Sequence, residues 1–317
     1  MLRNVARLTT GVLMLAVAVH ALAAAPFART SAPGWYRMTL GDFEITALSD
    51  GTVALPVTSL LTNTTPANVK RALGQSFIAD PVETSVNGYL INTGDKLVLI
   101  DAGAGALFGP TLGRLVDNLK ASGYQPEQVD EIYITHLHAD HVGGLIANNR
   151  IVFPHAIVRV DKRDTDYWLS TANRDVAPKD MQEFFDGAMA SLNPYVSAGK
   201  LKTFDGDTEL VSGIRARAAR GHTPGHASYV VESKGRKLVV WGDLIHVGAV
   251  QFAEPQVTIK FDIDSKAALP QRRRAFAEAA KEGHWVAAAH IAFPGIGHLR
   301  ALGKGYVWVP ANYSNIR

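Results

Sequence analysis

The segment Thr135-His136-Leu137-His138-Ala139-Asp140-His141 constrains this chain more than any other. Three imidazoles and a carboxylate fall within residues 136–141, directly after Glu131 to Thr135, which reads as a buried strand. That mixture of donors is what a borderline divalent metal binds. On a strand-to-helix turn, His136 and His138 point one way while Asp140 and His141 point toward a neighbouring position, so one short loop serves two ions. The chain has no cysteine, which removes both disulfides and thiolate ligands, and any metal must sit on histidine and carboxylate.

The N-terminus bears on compartment. Arg3 and Arg7 precede an apolar stretch from Gly11 to Ala25 that is too short to cross a bilayer as a stable helix, so residues 1–25 read as a signal peptide. Small residues in Ala21-Leu22-Ala23 place cleavage after Ala23, with Ala25 as the competing site. A periplasmic or secreted protein is expected, with no membrane contact after processing. The remainder, residues 26–317, is the size of one large domain. The formal charge of +3 is scattered, which argues against a nucleic-acid partner. The one dense basic run, Gln271-Arg272-Arg273-Arg274, is expected to be a solvated helix face.

Patterning then sets the order of elements. Residues 26–40 read as an exposed lead-in, residues 43–47 as a half-buried strand, and Asp50-Gly51 as a turn. The polar, Asn-containing stretch 58–71 predicts a loop entering a short helix rather than a sheet element. Further strands are expected near 87–92, 97–100, 156–160, 214–219, 228–232, 237–241 and 285–289. Helices are expected near 112–119, 165–169, 180–192 and 270–281. Strands in both halves end in His or Asp, and no repeat of fixed period is present. The pattern suits an α+β chain in which two sheets pack face to face with helices outside.

The 135–141 segment resembles the HxHxDH signature of the metallo-β-lactamase superfamily, and other landmarks of that family follow in order over about residues 40–300. Gly221-His222-Thr223-Pro224-Gly225-His226 resembles its third motif, Gly242-Asp243 its bridging aspartate, and Ala289-His290 its last ligand. Asp101 in Leu99-Ile100-Asp101-Ala102-Gly103 matches a structural aspartate near the site. The resemblance implies the αββα sandwich of mixed sheets and two divalent cations. His136, His138 and His222 would hold one; Asp140, His141 and His290 would hold the other; Asp243 would bridge them. It also implies hydrolysis by a metal-bridging hydroxide, with Asp140 and Asp243 in the catalytic machinery. The cations are zinc by default, with manganese, cobalt or iron compatible with the donors. His226 is expected to support the site rather than to ligate.

Within the superfamily the chain most resembles the exported methyl parathion hydrolase and aryl-lactonase group, which includes dihydrocoumarin-type lactonases and implies a homodimer. Phe108, Trp168 and one of Phe184 or Phe185 then fall where that group has a hydrophobic wall. His246 lies three residues after Asp243 and could face the pocket, with packing as the alternative. Leu61, His246, Ile259 and Phe261 stand where organophosphate specialists carry other side chains, and their bulk favours a flat lactone or aryl ester over a three-armed phosphotriester. The competing readings are an organophosphate hydrolase, a β-lactamase, a glyoxalase-II-like thioesterase and a metal-binding scaffold without catalysis. A β-lactamase would need a carboxylate clamp near His222, the thioesterase a C-terminal basic cluster that Arg300 and Lys304 hardly supply, and the scaffold a missing ligand.

Overall fold

The computed structural model describes Ala25 and residues 27–314; the expected signal peptide lies outside the described residues but for Ala25. Pro33–Arg317 form one compact unit. Two seven-stranded mixed sheets make up its centre. From edge to edge the first contains Trp35–Leu40, Phe43–Leu55, Val82–Asn92, Leu97–Ile100, Glu131–Tyr133, Ile157–Asp161 and Leu201–Phe204. The second contains Thr208–Val211, Ile214–Ala218, Ala227–Ser233, Arg236–Val240, Trp285–Ala287, Ile296–Leu302 and Gly305–Pro310.

Three apolar layers follow from these sheets. Ile45, Tyr89, Ile91 and Ile100 of the first sheet meet Tyr229, Val231, Leu238 and Val240 of the second, forming the core between them. On the outer face of the first sheet, Leu90, Leu99 and Ile132 pack against Leu115, Leu119, Phe185 and Leu192 from the helices Leu115–Ala121 and Lys179–Ser197. On the outer face of the second, Val230, Val239 and Val286 pack against Phe276 and Ala279 of the helix Ser265–Glu282. Covered on both faces, the central strands run nearly continuously apolar, as at Leu97–Ile100, instead of alternating. The expected αββα sandwich is therefore what the chain forms.

Four local expectations are corrected. Trp35–Leu40 is not an exposed lead-in but an antiparallel edge strand on Phe43–Leu55, carrying Leu40 into the core between the sheets. Asp50-Gly51 is not a turn. The strand continues to Leu55, and its register against Val82–Asn92 shifts between Ser49 and Gly51, so a bulge turns the Asp50 side chain inward. The stretch 58–71 does contribute a sheet element, since Leu61 and Thr62 pair with Ile259 and Thr258. Finally, Arg272 is not solvated. Ala268, Arg272, Phe276 and Ala279 form the buried stripe of their helix, while Arg273 and Arg274 point to water. The Arg272 guanidinium donates to the carbonyls of Leu244 and Val257. The hairpin Ile296–Leu302 and Gly305–Pro310, beyond the last expected strand, completes the second sheet.

The buried Asp50 carboxylate holds the segment that follows Asp101. Its Oδ2 accepts from the backbone N–H groups of Ala104 and Gly113, each at 2.9 Å, and its Oδ1 from Leu115 at 3.0 Å. Burial nonetheless pushes this carboxyl above its ordinary range. Asp50→Ala strands those donors and is expected to cost about 2–4 kcal/mol of stability, with Asp50→Asn losing less. Urea unfolding at constant m-value checks this; equal stability of Asp50→Ala and the parent would contradict it.

Candidate metal centre

The candidate centre lies at one rim of the sandwich, where chain leaves the ends of several strands. Glu131–Tyr133 delivers the 135–141 segment, Ile214–Ala218 leads to His222, Arg236–Val240 to Asp243, and Trp285–Ala287 to His290. Gly242 sits between two tight neighbours with φ of +57°. A Cβ there would fall 2.7 Å from His226 Nε2 and 2.9 Å from Thr135 Cβ, so only glycine admits the approach.

Three overlapping sets of donors converge. His136, His138, His222 and Asp243 form one, Asp140, His141 and His290 another, and Asp243, His246 and His290 a third that links these two, with the ligand atoms of each set within 4.8 Å of one another. Asp243 touches the first two: its Oδ2 lies 3.2 Å from His222 Nε2, and its Oδ1 lies 3.2 Å from His141 Nε2 and 3.1 Å from His290 Nε2. His138 Nδ1 is 3.0 Å from His136 Nε2 and 3.1 Å from His222 Nε2. His290 Nε2 is 3.4 Å from Asp140 Oδ2.

The outward nitrogens of His136, His141, His222 and His290 are held. His136 Nδ1 meets Thr135 Oγ1 at 3.1 Å, and His141 Nδ1 donates to Asp101 Oδ2 at 2.8 Å. His222 Nδ1 donates to Asp262 Oδ1 and His290 Nδ1 to the Ser85 carbonyl, both at 2.9 Å. Such contacts fix ring orientation and leave the other nitrogen as a lone-pair donor. Inward, two atoms are left over: His141 Nε2 and Asp243 Oδ1 are buried without a hydrogen-bond partner despite their proximity. Buried polar atoms are rarely left so. Lone pairs aimed at a common point, built from imidazole and carboxylate, fit a pair of divalent cations.

The electrostatics agree with that fit. Burial and neighbouring imidazoles hold His136 and His138 well below the usual histidine range, hence neutral. Burial opposes charge at His222 too, but Asp243 and Asp262 outweigh it and raise the group to about 9. Asp243 stays ionised well below the carboxylate range: burial disfavours the charge, and His290, His141, His136 and His246 more than offset it.

Supporting groups tie the loops together. His226 is buried, donates through Nδ1 to the Ala219 carbonyl and accepts the Asp243 N–H at Nε2, both at 3.0 Å. It stands behind Asp243 and in none of the donor sets. Asp164 joins the first and third motifs by accepting from Leu137 N at 2.9 Å and Gly225 N at 2.6 Å, and burial raises its carboxyl to about 6. Arg272 Nη2 is 4.0 Å from Asp262 Oδ2, behind His222. The sequence reading missed Asp262, Asp164, Ser85 and Arg272, because only the fold brings them to the ligands.

A cavity of about 40 Å³ opens on Asp140 and Asp243. Of the expected wall, Phe108, Phe184, His246 and Phe261 line it, joined by Val53 and Leu55, which were not anticipated. The alternation of apolar residues beyond Gly51 was the available signal for those two. Trp168 and Phe185 are not on its surface. Both are fully buried in the helix-covered core, with Trp168 packed edge-on against His138 at 5.3 Å between ring centroids. Leu61 and Ile259 are also away from it, paired across their short ladder in a separate apolar cluster. His246 Nε2 lies 3.0 Å from Asp243 Oδ2, although neither ring nitrogen makes a hydrogen bond.

Comparison with known proteins agrees with this geometry. The Metallo-beta-lactamase superfamily profile matches residues 81–290, and the chain belongs to that superfamily. A crystal structure of the hydrolase AbOPH in the beta lactamase superfamily is 38% identical, with a TM-score of 0.86 over 90% of this chain and 100% of that one. AidC, a dizinc quorum-quenching lactonase in complex with a product, is 27% identical, with a TM-score of 0.83 over 89% of this chain and 99% of that one. An N-acyl homoserine lactonase from Bacillus sp is 28% identical over 46% of this chain, and a second from Bacillus cereus is 31% identical over 40%. The matched regions span only 58% and 42% of those two relatives' own lengths.

His222 carries a proton below about pH 9 in the metal-free protein and must release it to ligate. Metal affinity is therefore expected to rise with pH up to that range, with proton release on binding. Asp262→Asn removes one of the carboxylates that raise His222, so it should reduce proton release near pH 8 and weaken metal binding about 10- to 100-fold. Calorimetry in buffers of different ionisation enthalpy reads both. Unchanged affinity and proton release in Asp262→Asn would contradict the role given to this carboxylate.

Proposed function

We propose that this protein is a binuclear metal-dependent hydrolase that opens lactones. The observation that carries the reading is the pair of donor groups sharing Asp243, with the outward nitrogens of His136, His141, His222 and His290 already anchored. His136, His138 and His222 would hold one cation and Asp140, His141 and His290 the other, with Asp243 within reach of both. Zinc is the expected metal, a view supported by the dizinc lactonase AidC. When bound, such a pair supplies Lewis acidity and a water activated near neutral pH.

The chain's own residues do the rest. Phe108, Phe184, Phe261, Val53 and Leu55 surround the reacting position with hydrocarbon, which excludes bulk water and strengthens electrostatic interactions there. His246 is held neutral, at about 4, because burial outweighs the pull of Asp243. A neutral imidazole at the cavity wall offers a hydrogen bond without adding charge. The N-acyl homoserine lactonases among the relatives support a lactone carbonyl as the target. Export is part of the same proposal, and N-terminal sequencing of the mature protein tests it: an intact Met1 would oppose cleavage near Ala23 or Ala25.

The deciding experiment compares kcat/KM for a lactone such as dihydrocoumarin, for methyl parathion and for a β-lactam. The lactone is expected to lead, with the β-lactam last, because one site discriminates only by how it positions the reacting atom. His246→Leu should move the ratio toward the phosphotriester. A parent enzyme that prefers methyl parathion would overturn the lactonase reading, and an unchanged ratio in His246→Leu would remove His246 from specificity.

A further inference from the structure

Both ring nitrogens of His246 are buried without a hydrogen-bond partner, a condition rarely found for buried polar atoms. Its Nε2 lies 3.0 Å from Asp243 Oδ2 and makes no hydrogen bond to it, so the two are close without being aimed at each other. His290 Nε2 stands 3.2 Å from the same oxygen. These three side chains form the third donor set, and all three line the cavity that Asp140 also faces. The fold fixes the ring where it is. Gln251 Oε1 accepts from the backbone N–H groups of His246 and Val247, each at 2.9 Å, and the ring stacks on His290 at 5.1 Å with planes 17° apart.

We propose that His246 is a reserve metal ligand: with Asp243 and His290 it forms a weaker, alternative position for the divalent cation assigned to Asp140, His141 and His290. The proposal rests on the binuclear reading above. Two imidazoles and a carboxylate are a set that borderline divalent cations accept, with water completing the coordination. His290 makes the two positions mutually exclusive, because its Nδ1 is committed to the Ser85 carbonyl and its Nε2 has one lone pair. The groups behind the rings set the order of affinity. His141 Nδ1 is backed by Asp101 at 2.8 Å, whereas His246 Nδ1 has no such partner. Lack of that backing weakens metal binding about 10- to 100-fold, so the cation rests on the His141 side. A cation released by Asp140 and His141 then has a place to stay inside the site.

The test is a double-substitution cycle read by equilibrium dialysis of zinc and by the absorption spectrum of cobalt-loaded protein, neither of which depends on turnover. The parent is expected to hold two equivalents. His246→Leu should hold two as well, with affinities within about twofold of the parent, because a position 10- to 100-fold weaker adds little to the stronger one. His141→Ala is expected to keep a second equivalent bound about 10- to 100-fold less tightly. His141→Ala combined with His246→Leu should lose it, together with the absorption of the second cobalt. The loss of His246 thus matters only once His141 is gone, a non-additivity that a packing role would not produce. Asp140→Ala is the second background should His141→Ala fail to fold. Equal second-cation affinity with and without His246 in these backgrounds, or loss of the second cation from both backgrounds while His246 is present, overturns the reserve position and leaves the binuclear reading standing. Loss of a cation from His246→Leu alone overturns it too, since His246 would then belong to the resting pair. A parent that holds no second equivalent sinks the binuclear reading itself.

Discussion

The Asp243 carboxylate lies buried among five imidazoles, and the rest of the site is arranged around it. His136, His141, His222, His246 and His290 each place a nitrogen within 3.6 Å of one of its oxygens. A buried carboxylate is tolerated only where compensating charge or donors meet it. Here the imidazoles keep the acid ionised, yet His141, the nearby His246 and Asp243 itself retain buried atoms without hydrogen bonds. A chain selected for stability alone would satisfy those atoms or replace them with hydrocarbon. The arrangement becomes favourable when cations stand between the donors.

Holding that carboxylate takes both sheets. The first sheet provides the Tyr133 strand end and Asp101, which receives Thr135 N, Thr135 Oγ1 and His141 Nδ1. The second provides the strands ending before Asp243 and His290. Ser85 of the first sheet then accepts from His290, linking the sheets at the rim. His222 depends on a third region, since Asp262 precedes the helix whose buried Arg272 stands behind it. A shift of either sheet would misplace members of both donor groups, so sandwich packing and site geometry are one constraint.

These dependencies explain what was legible in the sequence. His136, His138, Asp140 and His141 could be read because one loop carries them together after a buried strand. His222, Asp243 and His290 followed from short motifs with characteristic neighbours. The two layers could be read from apolar strands whose ends carry His or Asp. By contrast, Ser85 is 205 residues from the histidine it orients, and Asp262 is 40 from His222. No local pattern announces such partners. Arg272 looked solvated because three basic residues adjoin, and helical phase alone sends one inward. Trp168 and Phe185 matched a wall by spacing, but their backbone directions send them into the core behind His138, leaving Phe184 at the surface. The bulge at Asp50 hid the strand continuation that carries Val53 and Leu55 to the cavity.

Metal content measured on purified parent protein and on Asp243→Ala, alongside turnover, tests the central claim most directly. A shared carboxylate predicts two equivalents of divalent metal in the parent and a joint loss of metal and activity in Asp243→Ala, while His226→Ala, which removes only a support behind Asp243, loses far less. Two equivalents and full turnover in Asp243→Ala would contradict the account.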